Sequence, residues 1–353
     1  MIYIRGEINV VRISSLLADL GHRPSARKVL MTSTLDAAGR GTISVFNDAE
    51  VVDAVDQLDA IAALRGVLVS AYRGTARSIP KTMSQFDDTS TAHSLGAVDS
   101  AGNVVAFKSW VNTPRGASAV LTLFDSADGR TLAVMAAGVL GMLRTAGTAA
   151  LATDIMAAPS AGELAILGTG RQAFHQVVAI HAIRPLGLVR IWSPSESSRR
   201  KFASRIATEL DLRVEVADSA RTAVRDMPIV TTVTRASDPF LDGDWLVRGA
   251  HLNAVGAILQ STAELLPSVL PLSDFTTVDD VENAARGSRE LREHFGNDLG
   301  SVLSLGEVLD RDVKRPTDPR LTVYKGLGSG LTDLALAALV WKRSHDTLDP
   351  KEN

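Results

Sequence analysis

The run Ala165-Ile-Leu-Gly-Thr-Gly-Arg-Gln-Ala173 constrains this chain more than any other segment. An apolar stretch enters a Gly-x-Gly-x-x-Ala turn and a helix-like segment follows. A second apolar stretch, Leu188-Val-Arg-Ile-Trp-Ser193, comes after it. This is the pattern of the first strand, phosphate loop, helix and second strand of a Rossmann-type dinucleotide-binding unit. Gly168 permits the tight turn, Thr169 and Gly170 let backbone approach a pyrophosphate, and Ala173 lets the helix pack close to the strand. The helix N-terminus at Arg171 and Gln172 leaves N–H groups free for phosphate oxygens. A turn of this kind can also join a strand to a helix and bind nothing. Strands on both sides at the right distance favour the nucleotide.

The end of the second strand bears on which nucleotide. A site selective for NAD places Asp or Glu there, on the ribose hydroxyls. This chain has Trp192-Ser193-Pro-Ser195, followed by Arg199, Arg200 and Lys201. Hydroxyls and cations suit a 2′-phosphate, so Ser193, Ser195 and Arg199 point to NADP(H), with NAD(H) the alternative. The basic cluster can also be read as the exposed face of the next helix.

The chain has 353 residues, enough for two domains, and an ordinary globular composition of 45% hydrophobic and 22% charged residues. A net charge of −3 argues against nucleic-acid and anionic-membrane partners. The absence of cysteine excludes disulfides and thiolate chemistry, and it fits a cytoplasmic protein. The first residues do not read as a signal peptide, and no stretch reads as a membrane span.

The first 42 residues read as a short strand, a helix and a Gly-rich turn. Residues 47–64 are helical in character, with Asn47 or Asp48 as cap. The segments 82–86, 92–98, 104–111 and 119–124 read as antiparallel strands, followed by 131–135 and a long Ala-rich helix over 140–156. A linker at 157–162 leads into the α/β alternation, with further strands at 229–233, 251–255 and 275–278 and a final apolar helix over 326–342. The expected architecture is therefore α/β. A Rossmann-type domain over 157–325 joins an α+β domain over 43–156, which the segment 326–353 crosses back to complete. A cleft between the two would take a small substrate.

Few residues stand out chemically. Lys108 interrupts the apolar strand Val104–Val111, where a cation either faces solvent or meets an anion. Arg144 precedes a run of small residues and could clamp a carboxylate with two parallel hydrogen bonds, although a helix-face salt bridge is the plainer reading. Lys81 could be a third cation for the same anion or an ordinary solvated lysine, and the segment Asn112–Gly116 reads chiefly as a turn. Seven histidines show no metal-ligand spacing, His175 and His251 read as structural, and no serine-hydrolase elbow is present.

Taken in order, several segments resemble the ornithine cyclodeaminase/mu-crystallin family: Lys108; Gly116–Asp125; Gly129–Ala133; Leu143–Ala146 with Ala149–Thr153; Ile166–Ala173; His251–Ala257; and Tyr324–Gly328 with Asp333. The resemblance runs from about Ile43 to about Ser344, leaving the first 42 residues as an extension without an assigned role. It implies a homodimer built through the first domain, with NAD(P) held by the second, and hydride transfer between an amino acid and its imine or keto acid. It matches Lys108 and Arg144 to the family's carboxylate-binding pair and Thr145 to a residue near the cofactor phosphates. It also places Val255, Gly256 and Gly326 against the cofactor, and Lys81 where the family commonly has Arg. Cyclodeaminases carry an Asp where this chain has Ile258, and isoleucine can neither take a proton nor bind an ammonium. The expected activity is therefore reduction of an α-imino acid. The alternatives are a dehydrogenase making an unusual amino acid, a cyclodeaminase, which Ile258 disfavours, and a non-catalytic nucleotide-binding protein.

Overall fold

The computed structural model describes the strand at 32–33 and residues 42–296 and 298–346. The elements expected in the first 42 residues, and the last part of the 326–353 segment, otherwise lie outside the described residues.

The first unit is a seven-stranded sheet. β1 (Thr32–Ser33) and β2 (Ile43–Phe46) precede two helices, α1 (Asp48–Ala54) and α2 (Gln57–Tyr72). The single helix expected over 47–64 is thus broken at Val55–Asp56. Asn47 caps α1 in a reciprocal box with Glu50, and Asp56 starts a new helix by accepting from Leu58 N at 2.8 Å. A meander follows: β3 (Ala76–Gln85), β4 (Thr91–Asp99), β5 (Val104–Thr113), β6 (Gly116–Asp125) and β7 (Thr131–Ala136). These strands run antiparallel, as the alternation implied, and are longer than expected; β2 adds to β7 in parallel.

α3 (Gly138–Met156) leaves this sheet and is buried along most of its length, packing against α2 and the first helix of the second unit. Its small residues permit this. A side chain at Gly147 would come within 2.7 Å of Leu64.

The second unit is an eight-stranded, wholly parallel sheet. It comprises β8 (Glu163–Leu167), α4 (Arg171–Ile183), β9 (Leu188–Trp192), α5 (Glu196–Leu210), β10 (Val214–Val216), α6 (Ala220–Val224), β11 (Ile229–Thr232), β12 (Ala250–Ala254) and β13 (Ser273–Val278). It continues with α7 (Val281–Gly287), α8 (Arg289–Phe295), β14 (Leu303–Ser304), α9 (Leu305–Asp310) and β15 (Leu321–Lys325). The strand order β10-β9-β8-β11-β12-β15-β13-β14 begins with the doubly wound pattern, in which the chain reverses direction between β8 and β11. Helices cover both faces, so the central strands β11 and β12 are buried without alternation.

α10 (Gly330–Asp346) then crosses back onto β4 and β5 of the first sheet. It starts four residues later than expected, because Gly326–Ser329 form a loop. Gly330 lies so close to the sheet that a Cβ there would sit 2.2 Å from the Gly96 carbonyl oxygen. That approach sets the first turn of α10 directly on the strand pair carrying Lys108. Among the described residues, no helix is long and apolar enough to cross a membrane.

Candidate active site

The phosphate loop joins β8 to α4. Gly168 has φ +122°, and a Cβ there would lie 2.6 Å from the Val233 carbonyl oxygen, so conformation and space both require glycine. Gly170 occupies the cap position of α4 with no side-chain acceptor for the helix N–H groups, and nothing stands within 4 Å of where its Cβ would be. The first turn of this thirteen-residue helix therefore offers uncapped donors to open space, a fit for a phosphate. Ala173 is fully buried, and Gln172 donates to the Met142 carbonyl at 3.1 Å, tying α4 to α3. Thr145 bonds back to Gly141 O on α3.

The loop after β9 is held by its own polar groups. Thr169 donates to Ser193 Oγ at 3.1 Å, Ser193 donates to Ser195 O, and Ser195 caps α5 through Ser198 N. Arg199, expected to present its charge to a 2′-phosphate, is buried and donates to the Ser193 carbonyl at 2.7 Å. It braces the loop. Arg200 is exposed and paired with Glu196.

The cation cluster sits on one face of the meander. Lys108 is buried, with its Nζ 2.5 Å from Asp333 Oδ2 on α10. Arg144 Nε, from α3, lies 3.2 Å from the other oxygen of the same carboxylate. Burial by itself pushes the Asp333 carboxyl up, but Lys108 and Arg144 outweigh it and hold it below the usual range. Burial pulls the Lys108 ammonium down, and Asp333 works against that pull. The register places Lys108 opposite Leu95 and Trp110 opposite His93, whose ring stacks on the indole at 4.7 Å.

Lys81 reaches this face because β3 slips register between Ile79 and Thr82. The bulge aims its ammonium over the Trp110 ring at 5.3 Å, matching Lys108 at 5.4 Å, and partial burial lowers its pKa.

These cations line one cavity of about 380 Å³, together with Arg171 from the α4 N-terminus and Ile258 from the loop after β12. Ser193, Ser195 and Arg199 stand apart from it, at the end of β9. Val255 and Gly256 follow β12, and Gly326 follows β15 with its N–H on Ala254 O. The Gly326–Gly328 loop is pinned by buried Asp279, which accepts from Leu327 N at 3.2 Å and Gly328 N at 2.6 Å. Burial pushes the Asp279 pKa up to about 6. Gly328, at φ +83°, lies so near the Arg144 guanidinium that a Cβ would stand 2.7 Å from it.

Three contributors had no role in the sequence reading. Asp333 was visible only as part of the family pattern. Trp110 belongs to the strand that carries Lys108, and nothing local to it announces its place beside the cations. Asp280, the one carboxylate lining the cavity among the described residues, is held by Ser78 Oγ at 2.9 Å and caps α7. The described residues contain no cluster of three or more potential metal ligands.

The model of the ornithine cyclodeaminase/mu-crystallin family matches residues 43–347. Ketimine reductase mu-crystallin of Mus musculus is 34% identical over 223 residues, covering 63% of this chain and 68% of that protein. A Delta(1)-pyrroline-2-carboxylate reductase of Bacillus cereus is 27% identical over 230 residues, 64% of this chain and 70% of that protein. Among solved structures, a probable ornithine cyclodeaminase from Bordetella pertussis Tohama I superposes with TM-score 0.81 at 27% identity, over 86% of this chain and 97% of that one. The Thermococcus litoralis Delta(1)-pyrroline-2-carboxylate reductase, in complex with NADH and L-proline, shares the fold with TM-score 0.81 at 21% identity, over 86% and 98%.

Proposed function

The chain belongs to the ornithine cyclodeaminase/mu-crystallin family, and on that premise we propose that it is an NAD(P)H-dependent reductase of α-imino acids, an oxidoreductase acting on CH–NH groups. The observation that carries this reading is the convergence of Lys81, Lys108 and Arg144 on one cavity with the N-terminal residue of the phosphate-loop helix. Lys108 and Arg144 bind the substrate carboxylate, with Lys81 beside them. When bound, a reduced nicotinamide would supply hydride for the imine carbon, and with one proton on nitrogen the C=N bond would become CH–NH. Fixing the carboxylate places the α-carbon in one orientation, which removes much of the entropic part of the barrier. Asp333 holds the two cations in place before substrate arrives. Asp280 supplies a counter-charge for the protonated imine nitrogen, which Ile258 does not. Cyclodeaminase chemistry on ornithine is the less favoured reading because Ile258 stands where cyclodeaminases carry an Asp.

The preferred nucleotide in this reading is NADP(H), supported by the absence of a carboxylate at the end of β9 and by the exposed Ser195 just beyond it. The active form is a homodimer. On the meander face away from α10, Phe107, Val111 and Val120 are about 40% exposed and stand together, an apolar surface suited to a second copy. Residues 43–156 with the C-terminal helix form the substrate and dimerisation domain, and 157–325 the nucleotide domain.

Fluorescence titration with NADPH and NADH, followed by pyrroline- or piperideine-2-carboxylate, tests the proposal. The expected result is tighter binding of NADPH and its oxidation when the cyclic imino acid is added. Tight binding without oxidation by any imino acid would favour the non-catalytic alternative.

A further inference from the structure

Glu264 is fully buried and has no cation within ion-pair distance among the described residues, yet its carboxylate accepts five hydrogen bonds. Thr234 N and Thr234 Oγ1 reach Oε1 at 2.6 and 2.8 Å. Thr232 Oγ1, Gly256 N and Ala257 N reach Oε2 at 2.8, 3.0 and 3.2 Å. The donors come from the ends of two neighbouring parallel strands, β11 and β12, and the loops that follow them. A carboxylate buried without a counter-ion is costly unless its lone pairs are filled, and here backbone and hydroxyl donors fill them.

The residue itself is clamped. Its N–H, with that of Leu265, donates to Glu290 Oε1 at 2.7 and 3.0 Å, and its carbonyl accepts from Phe240 and Leu241. The other oxygen of Glu290 pairs with Lys325 at 2.5 Å, both side chains buried. Lys325 ends β15 and leads into the Gly326–Gly328 loop. One buried chain, Glu264–Glu290–Lys325, therefore ties together the carboxyl ends of three adjacent strands. Gly256 takes part through its lack of a side chain. A Cβ there would lie 2.3 Å from Glu264 Oε1 and 2.5 Å from Thr234 N and O.

Those strand ends continue, through Ile258 on one side and Leu327–Gly328 on the other, into the lining of the cation-bearing cavity. The phosphate loop and the β9 end lie on the opposite side of the β8/β11 reversal. In an open parallel sheet a dinucleotide lies across the carboxyl ends at that reversal. We infer that Glu264 is a positioning residue for the nicotinamide half of the cofactor, setting the β11 and β12 loops on which that half rests; the inference depends on the nucleotide reading above.

The test is isothermal titration of full-length wild type and Glu264→Gln with NADPH and with 2′-phospho-ADP-ribose, which lacks the nicotinamide. A glutamine has one acceptor oxygen, and its amide would turn donors toward backbone N–H groups. The expected result is a loss of NADPH affinity of about tenfold or more, with affinity for the fragment unchanged. Equal weakening of both ligands would mean a general loosening of the fold and overturn the inference, as would unchanged NADPH affinity. Should Glu264→Gln fail to fold, Thr234→Val, which removes one donor to Glu264 and the acceptor of the Ala236 N–H, is expected to weaken NADPH alone, with Thr234→Ser restoring it; weakening of both ligands or of neither would overturn the inference. Wild type that binds neither NADPH nor NADH would sink the nucleotide reading itself.

Discussion

Arg144→Ala is expected to lower kcat/KM for a cyclic α-imino acid by about a hundred- to a thousandfold while NADPH affinity stays near wild type. The guanidinium is half of the carboxylate clamp and one of the two cations on Asp333. Its removal weakens ground-state binding and also frees the α-carbon to rotate away from the hydride path, so KM should rise and kcat should fall together. Lys108→Ala acts on the same carboxylate and should give a loss of similar size. Arg144→Lys keeps the charge but not the two-pronged geometry, and a smaller loss, about tenfold, is expected. Steady-state kinetics on variants shown to be folded by circular dichroism decide the matter. Wild-type turnover in Arg144→Ala and Lys108→Ala would remove both residues from substrate binding.

The second large effect is on stability. Asp333 is 1% exposed and neutralises two cations drawn from different elements, Lys108 on β5 and Arg144 on α3. Replacing it with Ala leaves Lys108 buried beside a half-buried Arg144 with no counter-charge, and breaking a buried pair in this way costs about 3–5 kcal/mol. Urea unfolding should show a loss of that size in Asp333→Ala. The double variant Lys108→Met/Asp333→Leu should recover part of it, since the uncompensated charge on β5 is then gone, while remaining inactive. A loss below about 1 kcal/mol in Asp333→Ala would show that solvent reaches the cations and that the pair does not hold the clamp.

The phosphate loop was legible in the sequence because its requirements are local. Gly168 must take a positive φ beneath Val233, and the strands around it announce themselves by composition. The meander was legible because residues on its two faces alternate, with Lys108 falling on the buried side. What was not legible depends on contacts between distant residues. Lys108 and Asp333 are separated by 225 positions, and only the close approach of Gly330 to Gly96 brings them together. The placement of Lys81 rests on a register slip at Pro80, a residue that marks an edge strand or a bulge without saying which side chain the slip re-aims. Arg199 looked like a phosphate ligand because its neighbours are basic, but helix phase turns it inward onto the Ser193 carbonyl. The break at Val55–Asp56 was hidden by continuous helical composition, although Asp56 is itself a good cap. The brace of Glu264, Glu290 and Lys325 joins residues far apart in the sequence, and no local pattern announces the contacts between them.

The central claim is that hydride passes to the α-carbon of an imino acid held by Lys108 and Arg144. The most direct measurement is incubation of the enzyme with pyrroline-2-carboxylate and NADPH carrying deuterium on both C4 positions of the nicotinamide, with mass spectrometry of the product. One deuterium at the α-carbon of proline, formed about a hundredfold or more slowly when Arg144→Ala replaces wild type, is the expected result. Proline without deuterium, or no consumption of NADPH with any cyclic or open-chain imino acid, would contradict it.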